Sequence, residues 1–241
     1  MAHHVLILAA GQGLRLKSTT PKQFLELHSL PIIMHSMKAF FIADPKSKIY
    51  VALPQGYVEK WSRLCIDHEF DVNHQTYIGG STRQESVYLG LNKIYNSLGE
   101  SSKKHLVSIH DAARPFITSN FILELIAAAK KSGNAVPVMQ INSALRKIDL
   151  SNSSDSIAEN REDYIITQTP QVYTFCNIYN SYKYIISSTI KNIFDDSAVY
   201  DCFKNNSPIN LVKGREFNIK ITTKLDYVLA ETIYESLKDI K

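Results

Sequence analysis

The sequence predicts an α/β fold built on a doubly wound, mostly parallel sheet. Two observations carry that expectation. Short β-rich runs alternate with longer amphipathic stretches, and several of the short runs are nearly all apolar. Strands without a polar face are expected when helices cover both sides of a parallel sheet. Alternating units of this length close with right-handed crossovers.

In chain order, the expected strands are His4–Leu8, Lys48–Leu53, His74–Ile78, Leu106–Ile109 and Asn134–Val138. The stretches between them read as helices at about Ile32–Ala43, Val58–Phe70, Arg83–Ser97 and Asn120–Ser132. The rhythm breaks over residues 139–165, where a Ser, Asn and Asp run (Ser151–Ser156) is flanked by the strand-like segments Ala144–Ile148 and Tyr164–Ile166. That pattern predicts a protruding β-arm rather than a linker. The rhythm resumes with Phe175–Ser187, a strand near Ile209–Val212 and a last helix from about Leu225 to Leu237. One domain over residues 1–241 accommodates all of it.

Composition narrows the function classes. The chain has 241 residues, 44% of them hydrophobic and 21% charged, with a dispersed net charge of +4. This suits an anionic substrate but not a nucleic-acid partner. No apolar run reaches the length of a membrane span. The three cysteines, Cys65, Cys176 and Cys202, form no CxxC pair, so a reducing cytoplasmic location is expected. The His3-His4 pair is too short for a metal site and reads as an appended leader.

The chemistry concentrates after the first strand, in Ala9-Ala10-Gly11-Gln12-Gly13-Leu14-Arg15 followed by Pro21-Lys22-Gln23. Gly11 and Gly13 let the backbone approach a phosphate, and successive amides can cradle an anion. Arg15 adds a forked donor and Lys22 a mobile point charge. A Walker A loop requires GxxxxGK[ST], which is absent. The dinucleotide fingerprint fails because its third glycine position is Leu16, and no acid follows the second strand. A nucleotidyltransferase loop accounts for Arg15 and Lys22 together.

Leu8-Ala-Ala-Gly-Gln-Gly-Leu-Arg15 and Pro21-Lys-Gln-Phe-Leu25 resemble the signature of the 2-C-methyl-D-erythritol 4-phosphate cytidylyltransferases and the related ribitol-5-phosphate cytidylyltransferases. Four further segments follow in the family's order: Gly79–Val87, His110–Phe116, Gln168–Gln171 and Asn218–Thr222. The resemblance implies a Rossmann-like nucleotidyltransferase sheet and transfer of CMP from CTP to a polyol phosphate, with Mg²⁺ as cofactor. It implies a CTP site at Ala9, Ala10, Gly11, Gly13, Arg15, Lys22, Gly79, Gly80, Arg83, Ser86, Asp111 and Ala112. Asp111 would hold the metal. Arg114, Arg161, Thr169 and Lys220 would take the polyol phosphate, with Arg15, Lys22, Arg161 and Lys220 as the catalytic cations. The family is typically a homodimer, so Arg161 on the arm is expected to serve the partner's site.

The departures fall mainly on the acceptor side, although on the CTP side Ser81 takes a position that is often acidic. Ser143-Ala144-Leu145-Arg146-Lys147 replaces a segment resembling Asp-Thr-Ile-Lys-Arg, Phe217 stands where some methylerythritol enzymes have Asp, and Phe194 precedes Asp195 where a threonine is common. Changed donors and acceptors alter which hydroxyls a pocket can satisfy. On base rate, methylerythritol phosphate is ranked ahead of ribitol 5-phosphate. A UTP or GTP transferase and a non-catalytic nucleotide-binding protein are the other readings. His110 is expected to be packed or hydrogen-bonded rather than reactive.

Overall fold

A computed structural model of the chain describes residues 1–11, 20–149, 155–190, 193–203 and 208–238. Its centre is an eight-stranded mixed sheet. Strands β1 (His3–Leu8), β4 (Lys48–Leu53), β5 (His74–Ile78), β6 (Leu106–Asp111), β7 (Asn134–Gln140), β10 (Ile165–Thr167) and β11 (Gln171–Thr174) run in the order β10-β7-β11-β6-β1-β4-β5. A further strand, β12 (Leu211–Lys213), pairs with β7. The β1, β4, β5 and β6 pairings are parallel, as the apolar runs predict. β11 lies antiparallel between β6 and β7. Only four residues long and directly after Pro170, it leaves little periodic signal in the sequence.

The alternation of side chains along β1 shows why both faces had to be apolar. Val5, Ile7 and Ala9 join one buried cluster, with Ile33, Met37 and Phe40 of α1 (Ile32–Ala43), Trp61 of α2 (Val58–Asp67) and Phe121 and Leu125 of α4 (Ser119–Ser132). Leu6 joins the opposite cluster, with Val87, Leu91 and Ile94 of α3 (Arg83–Leu98), Tyr182 of α5 (Phe175–Ile186) and Val199 of α6 (Asp196–Cys202). Each face removes a large apolar area from water, the dominant favourable term in folding. The last helix, α7 (Lys224–Lys238), packs through Tyr227, Ala230 and Ile233 beside the short hairpin β2–β3 (Glu26–Leu27, Leu30–Pro31).

The break at residues 139–165 divides into two parts. β8 (Leu145–Ile148) and β9 (Ser156–Glu159) form an antiparallel hairpin of their own. The Tyr164–Ile166 segment does not belong to it: as β10, it pairs with β7 on the main sheet. Leu150 to Ser154, between these two strands in the chain, lie outside the described residues.

The expectation for His3-His4 is corrected. Both residues are buried in β1, in register with Leu106 and Val107 of β6. His3 pairs with the Ser108 hydroxyl at 2.8 Å, and His4 with His105 at 2.9 Å. Burial pushes the imidazoles of His3, His4 and His110 down to about 4, 3 and 3. Below the ordinary histidine value of 6.5, the unfolded chain therefore binds protons that the folded chain refuses, so stability falls with pH. Each imidazole contributes at most about 1.4 kcal/mol per pH unit between its unfolded and folded values. The urea midpoint is expected to drop steadily from about pH 7 to about pH 5; a flat midpoint over that range would contradict these burials.

Candidate active site

β1 and β6 end side by side, Leu8 opposite Asp111. A cleft opens at these carboxyl ends, where open α/β sheets commonly bind ligands. Its volume is about 550 Å³. Ala9, Ala10, Gly11 and Lys22 form one wall, Gly80, Arg83 and Ser86 a second, and Asp111, Ala113, Lys220 and Thr222 the base and far side. Segments far apart in the chain thus meet in one place.

Gly13 and Arg15 lie outside the described residues, as does all of 12–19. The two ends of that loop are tied together by Gln23. Its buried amide donates to the carbonyls of Ala9 (2.5 Å) and Gly11 (3.0 Å). The amide of a buried glutamine needs acceptors, and these two carbonyls just past the end of β1 supply them. Lys22, one residue earlier, turns into the cleft and donates to the Ile221 carbonyl at 2.7 Å.

The glycine pair is set by close approach. A Cβ on Gly79 would lie 2.3 Å from the Ala10 Cβ, and one on Gly80 would lie 2.3 Å from the Glu85 Cβ. A side chain on Gly79 would force the two walls apart, and one on Gly80 would push against the first turn of α3. α3 starts immediately afterwards with a reciprocal Thr82–Glu85 capping box. The Ser86 hydroxyl accepts from the Gly80 amide (3.1 Å) and donates to the Thr82 carbonyl (2.9 Å), which fixes the wall beside the α3 N-terminus.

Asp111 is the electrostatic centre. Its Oδ2 lies 2.7 Å from Lys220 Nζ and 3.9 Å from Arg114 Nε, and its Oδ1 accepts from Arg83 Nε at 3.3 Å. Burial works to raise its carboxyl pKa, but the charges of Arg83, Lys220 and Arg114 outweigh it and hold the group well below the usual carboxylate range. The Asp111 amide donates to Thr169 Oγ1 (3.1 Å), and the Thr169 hydroxyl reaches His110 Nδ1 at 3.1 Å. His110 Nε2 in turn faces the Arg114 carbonyl at 3.1 Å. That chain requires a neutral imidazole protonated on Nε2, so His110 is a buried scaffold. Thr169 stands behind Asp111, beside a cis bond to Pro170. Arg114 also donates to the Asn218 carbonyl at 2.8 Å, joining the third and fifth motifs.

The remaining sequence-derived candidates are placed elsewhere. Ala112 packs in the core while Ala113 lines the cleft. Arg161 sits in a short exposed turn with NH1 on the Asn142 carbonyl, away from the cleft lining of its own chain. Phe217 packs against the cluster around Phe116 and Ile221, and Phe194 is exposed. Gln23, Tyr182, Asp195 and Asp196 were not anticipated from the sequence as site residues. The Asp195-Asp196-Ser197 run carried one usable signal, an acidic N-cap: Asp195 caps α6 and also accepts from Thr167 and Gln171, at 2.8 Å each.

Among the described residues no cluster of three or more His, Cys, Asp or Glu side chains could hold a metal alone. Asp111 is the only carboxylate among the described cleft-lining residues. One carboxylate facing open cleft fits an ion such as Mg²⁺, which keeps waters and takes its other oxygens from substrate phosphates.

A cleft of this kind on the strand ends of a doubly wound sheet, one carboxylate ringed by lysine and arginine cations, is the kind of site a nucleotidyltransferase needs. The chain belongs to the 2-C-methyl-D-erythritol 4-phosphate cytidylyltransferase family, whose family model matches residues 3–236. It is 34% identical over 232 residues to the protein of that name from Azobacteroides pseudotrichonymphae genomovar. CFP2, covering 96% of this chain and 98% of the relative. It is also 34% identical over 233 residues to the Bacteroides fragilis protein of the same name, covering 97% and 100%. The crystal structure of the Thermus thermophilus protein of that name superposes with a TM-score of 0.76 at 28% identity, covering 98% and 100%. The 4-diphosphocytidyl-2C-methyl-D-erythritol synthase from Anaerococcus prevotii DSM 20548 shares the fold with a TM-score of 0.80 at 24% identity, covering 97% and 96%. Among the described residues no helix is long and apolar enough to cross a membrane.

Proposed function

We propose that this chain transfers the cytidylyl group of CTP to 2-C-methyl-D-erythritol 4-phosphate, releasing pyrophosphate in isoprenoid precursor synthesis. The observation that carries the reading is the meeting of Lys22, Lys220 and Asp111 in one cleft with Gly80 and with Ala9, Ala10 and Gly11, which follow the first strand. An acceptor phosphate oxygen forms a bond to the α-phosphorus of CTP as the α–β bridging bond breaks. The nucleophile is already anionic, so positioning and charge neutralisation dominate over proton transfer. Lys22 and Lys220 neutralise the crowded α-phosphate and the incoming phosphate, with Arg15 as a further cation of the loop. Gly79, Gly80 and Ser86 form the wall for the base. Asp111 would hold Mg²⁺ together with triphosphate oxygens, and the ion supplies charge neutralisation on the leaving pyrophosphate. Family membership supports methylerythritol over ribitol as acceptor. The free cysteines support a cytoplasmic, reducing location.

Pyrophosphate release over a panel of nucleotides and acceptors tests this. Turnover is expected with CTP and 2-C-methyl-D-erythritol 4-phosphate. Turnover with ribitol 5-phosphate alone would reverse the acceptor, and turnover with UTP but not CTP would refute the donor. Binding of CTP without turnover on any acceptor would make the protein a nucleotide sensor.

We also infer a homodimer in which the β8–β9 arm reaches a second copy and Arg161 serves that copy's acceptor phosphate. Ile148 and Ile157, both exposed on the arm, support this. Sedimentation is expected to give a dimer. A monomer that persists at all concentrations would overturn it.

A further inference from the structure

Arg83 holds two carboxylates at once, and the way it divides itself between them is informative. Its two terminal nitrogens form a fork on Asp196, NH1 to Oδ1 at 2.8 Å and NH2 to Oδ2 at 2.7 Å. Only Nε reaches Asp111, at the longer distance of 3.3 Å. Asp196 lies fully buried at the start of α6 and also accepts from the Tyr182 hydroxyl, at 2.5 Å. It is absent from the cleft lining. Nothing in the reaction uses Asp196 directly, yet burying a carboxylate is costly unless it is paired.

The alternative geometry makes its effect clear. An arginine fork turned onto Asp111 would occupy both carboxylate oxygens, since guanidinium and carboxylate match bidentately. In the observed geometry Oδ1 has one long contact, and Oδ2 faces Arg114 Nε at 3.9 Å and is met by Lys220, whose side chain is 37% exposed and can swing toward a phosphate. We propose that Asp196 is a positioning residue that draws the Arg83 fork off Asp111 and so leaves Asp111 open to a divalent cation carried by the nucleotide. The inference rests on the cytidylyltransferase reading, because it assumes that a metal–CTP complex enters this cleft. Asp196→Asn keeps the side-chain shape but removes the charge, and Arg83 then turns onto Asp111.

The test is Mn²⁺ binding, followed by electron paramagnetic resonance, to protein saturated with a CTP analogue carrying a methylene between the α- and β-phosphates. It needs no turnover. D196N is expected to weaken Mn²⁺ binding by about tenfold or more, the range for residues that orient a metal ligand. Tyr182→Phe removes a hydrogen bond from the same carboxylate but leaves its charge, and is expected to change the affinity by less than about threefold on the same scale. In D196N the Arg83 charge keeps Asp111 as partner, so the fold is expected to survive. Should D196N fail to fold, the double variant Arg83→Gln/Asp196→Asn removes the buried charge pair together; with no fork left to turn onto Asp111, it is expected to hold Mn²⁺ within about threefold of wild type, and a tenfold loss there would overturn the proposal. Unchanged Mn²⁺ affinity in the folded variant, or an equal loss in D196N and Y182F, would overturn the proposal. Wild-type protein that binds no analogue would instead sink the cytidylyltransferase reading, and this inference with it.

Discussion

Replacing Lys220 with alanine is expected to lower kcat by about 10²–10³-fold, the loss associated with removing one preorganised charge contact to a transition state. Lys220 Nζ stands 2.7 Å from Asp111 at the cleft base, while Lys22 is tethered nearby to the Ile221 carbonyl. Both cations are therefore held in the cleft before substrate arrives, and only a short side-chain swing of Lys220 from Asp111 is needed as charge builds on the α-phosphate. Lys220 is partly exposed, and Asp111 keeps Arg83 and Arg114 when it is gone. The folded state should consequently survive the substitution, with a melting temperature close to wild type. The loss should appear in kcat more than in KM for CTP, because a contact that strengthens in the transition state acts on the chemical step. Steady-state pyrophosphate release decides it. A loss below about fivefold, far short of a charged contact's usual value, would remove Lys220 from the chemistry.

Asp111→Asn is expected to act on both activity and stability. The amide cannot balance Arg83, Lys220 and Arg114, and removing one member of a buried ion cluster costs about 3 kcal/mol or more. Activity should fall by about 10³-fold, with the divalent-cation requirement lost or greatly weakened. The wild-type carboxyl is held below its usual range, so it contributes stability above the unfolded value of 3.8 and loses it only as pH falls below that. Protonation of Asp111 should therefore not limit activity anywhere between about pH 5 and about pH 8. Urea unfolding and a metal titration of activity check the two effects separately. An Asn variant that keeps full metal-dependent turnover would show that another group carries the ion.

How much of the fold is legible in the chain follows from the range over which each interaction acts. The α1, β4 and β5 boundaries follow from periodicity to the residue, because burial repeats every two or every 3.6 positions and is written locally. β11 escapes such a reading, since four residues after a proline carry too little pattern. Periodicity alone groups β10 with the arm although it joins the main sheet, because strand propensity says nothing about which neighbour a strand finds. The His3-His4 pair looks detachable for a related reason: two histidines have no apolar pattern, yet backbone pairing to β6 buries them both.

The loop after β1 and the four later motifs, each a local word in the chain, are enough to point to the family and the nucleotide chemistry, and to single out Lys22 and Lys220 as candidate cations. The sequence alone does not say how those cations are partnered. Gln23 tying Ala9 to Gly11, Thr169 standing behind Asp111, and above all Arg83 shared between Asp111 and Asp196 depend on contacts spanning 12 to 113 positions. Such contacts exist only once the sheet has brought its strand ends together, because hydrogen bonds and ion pairs act over a few ångströms and leave no periodic trace along the chain.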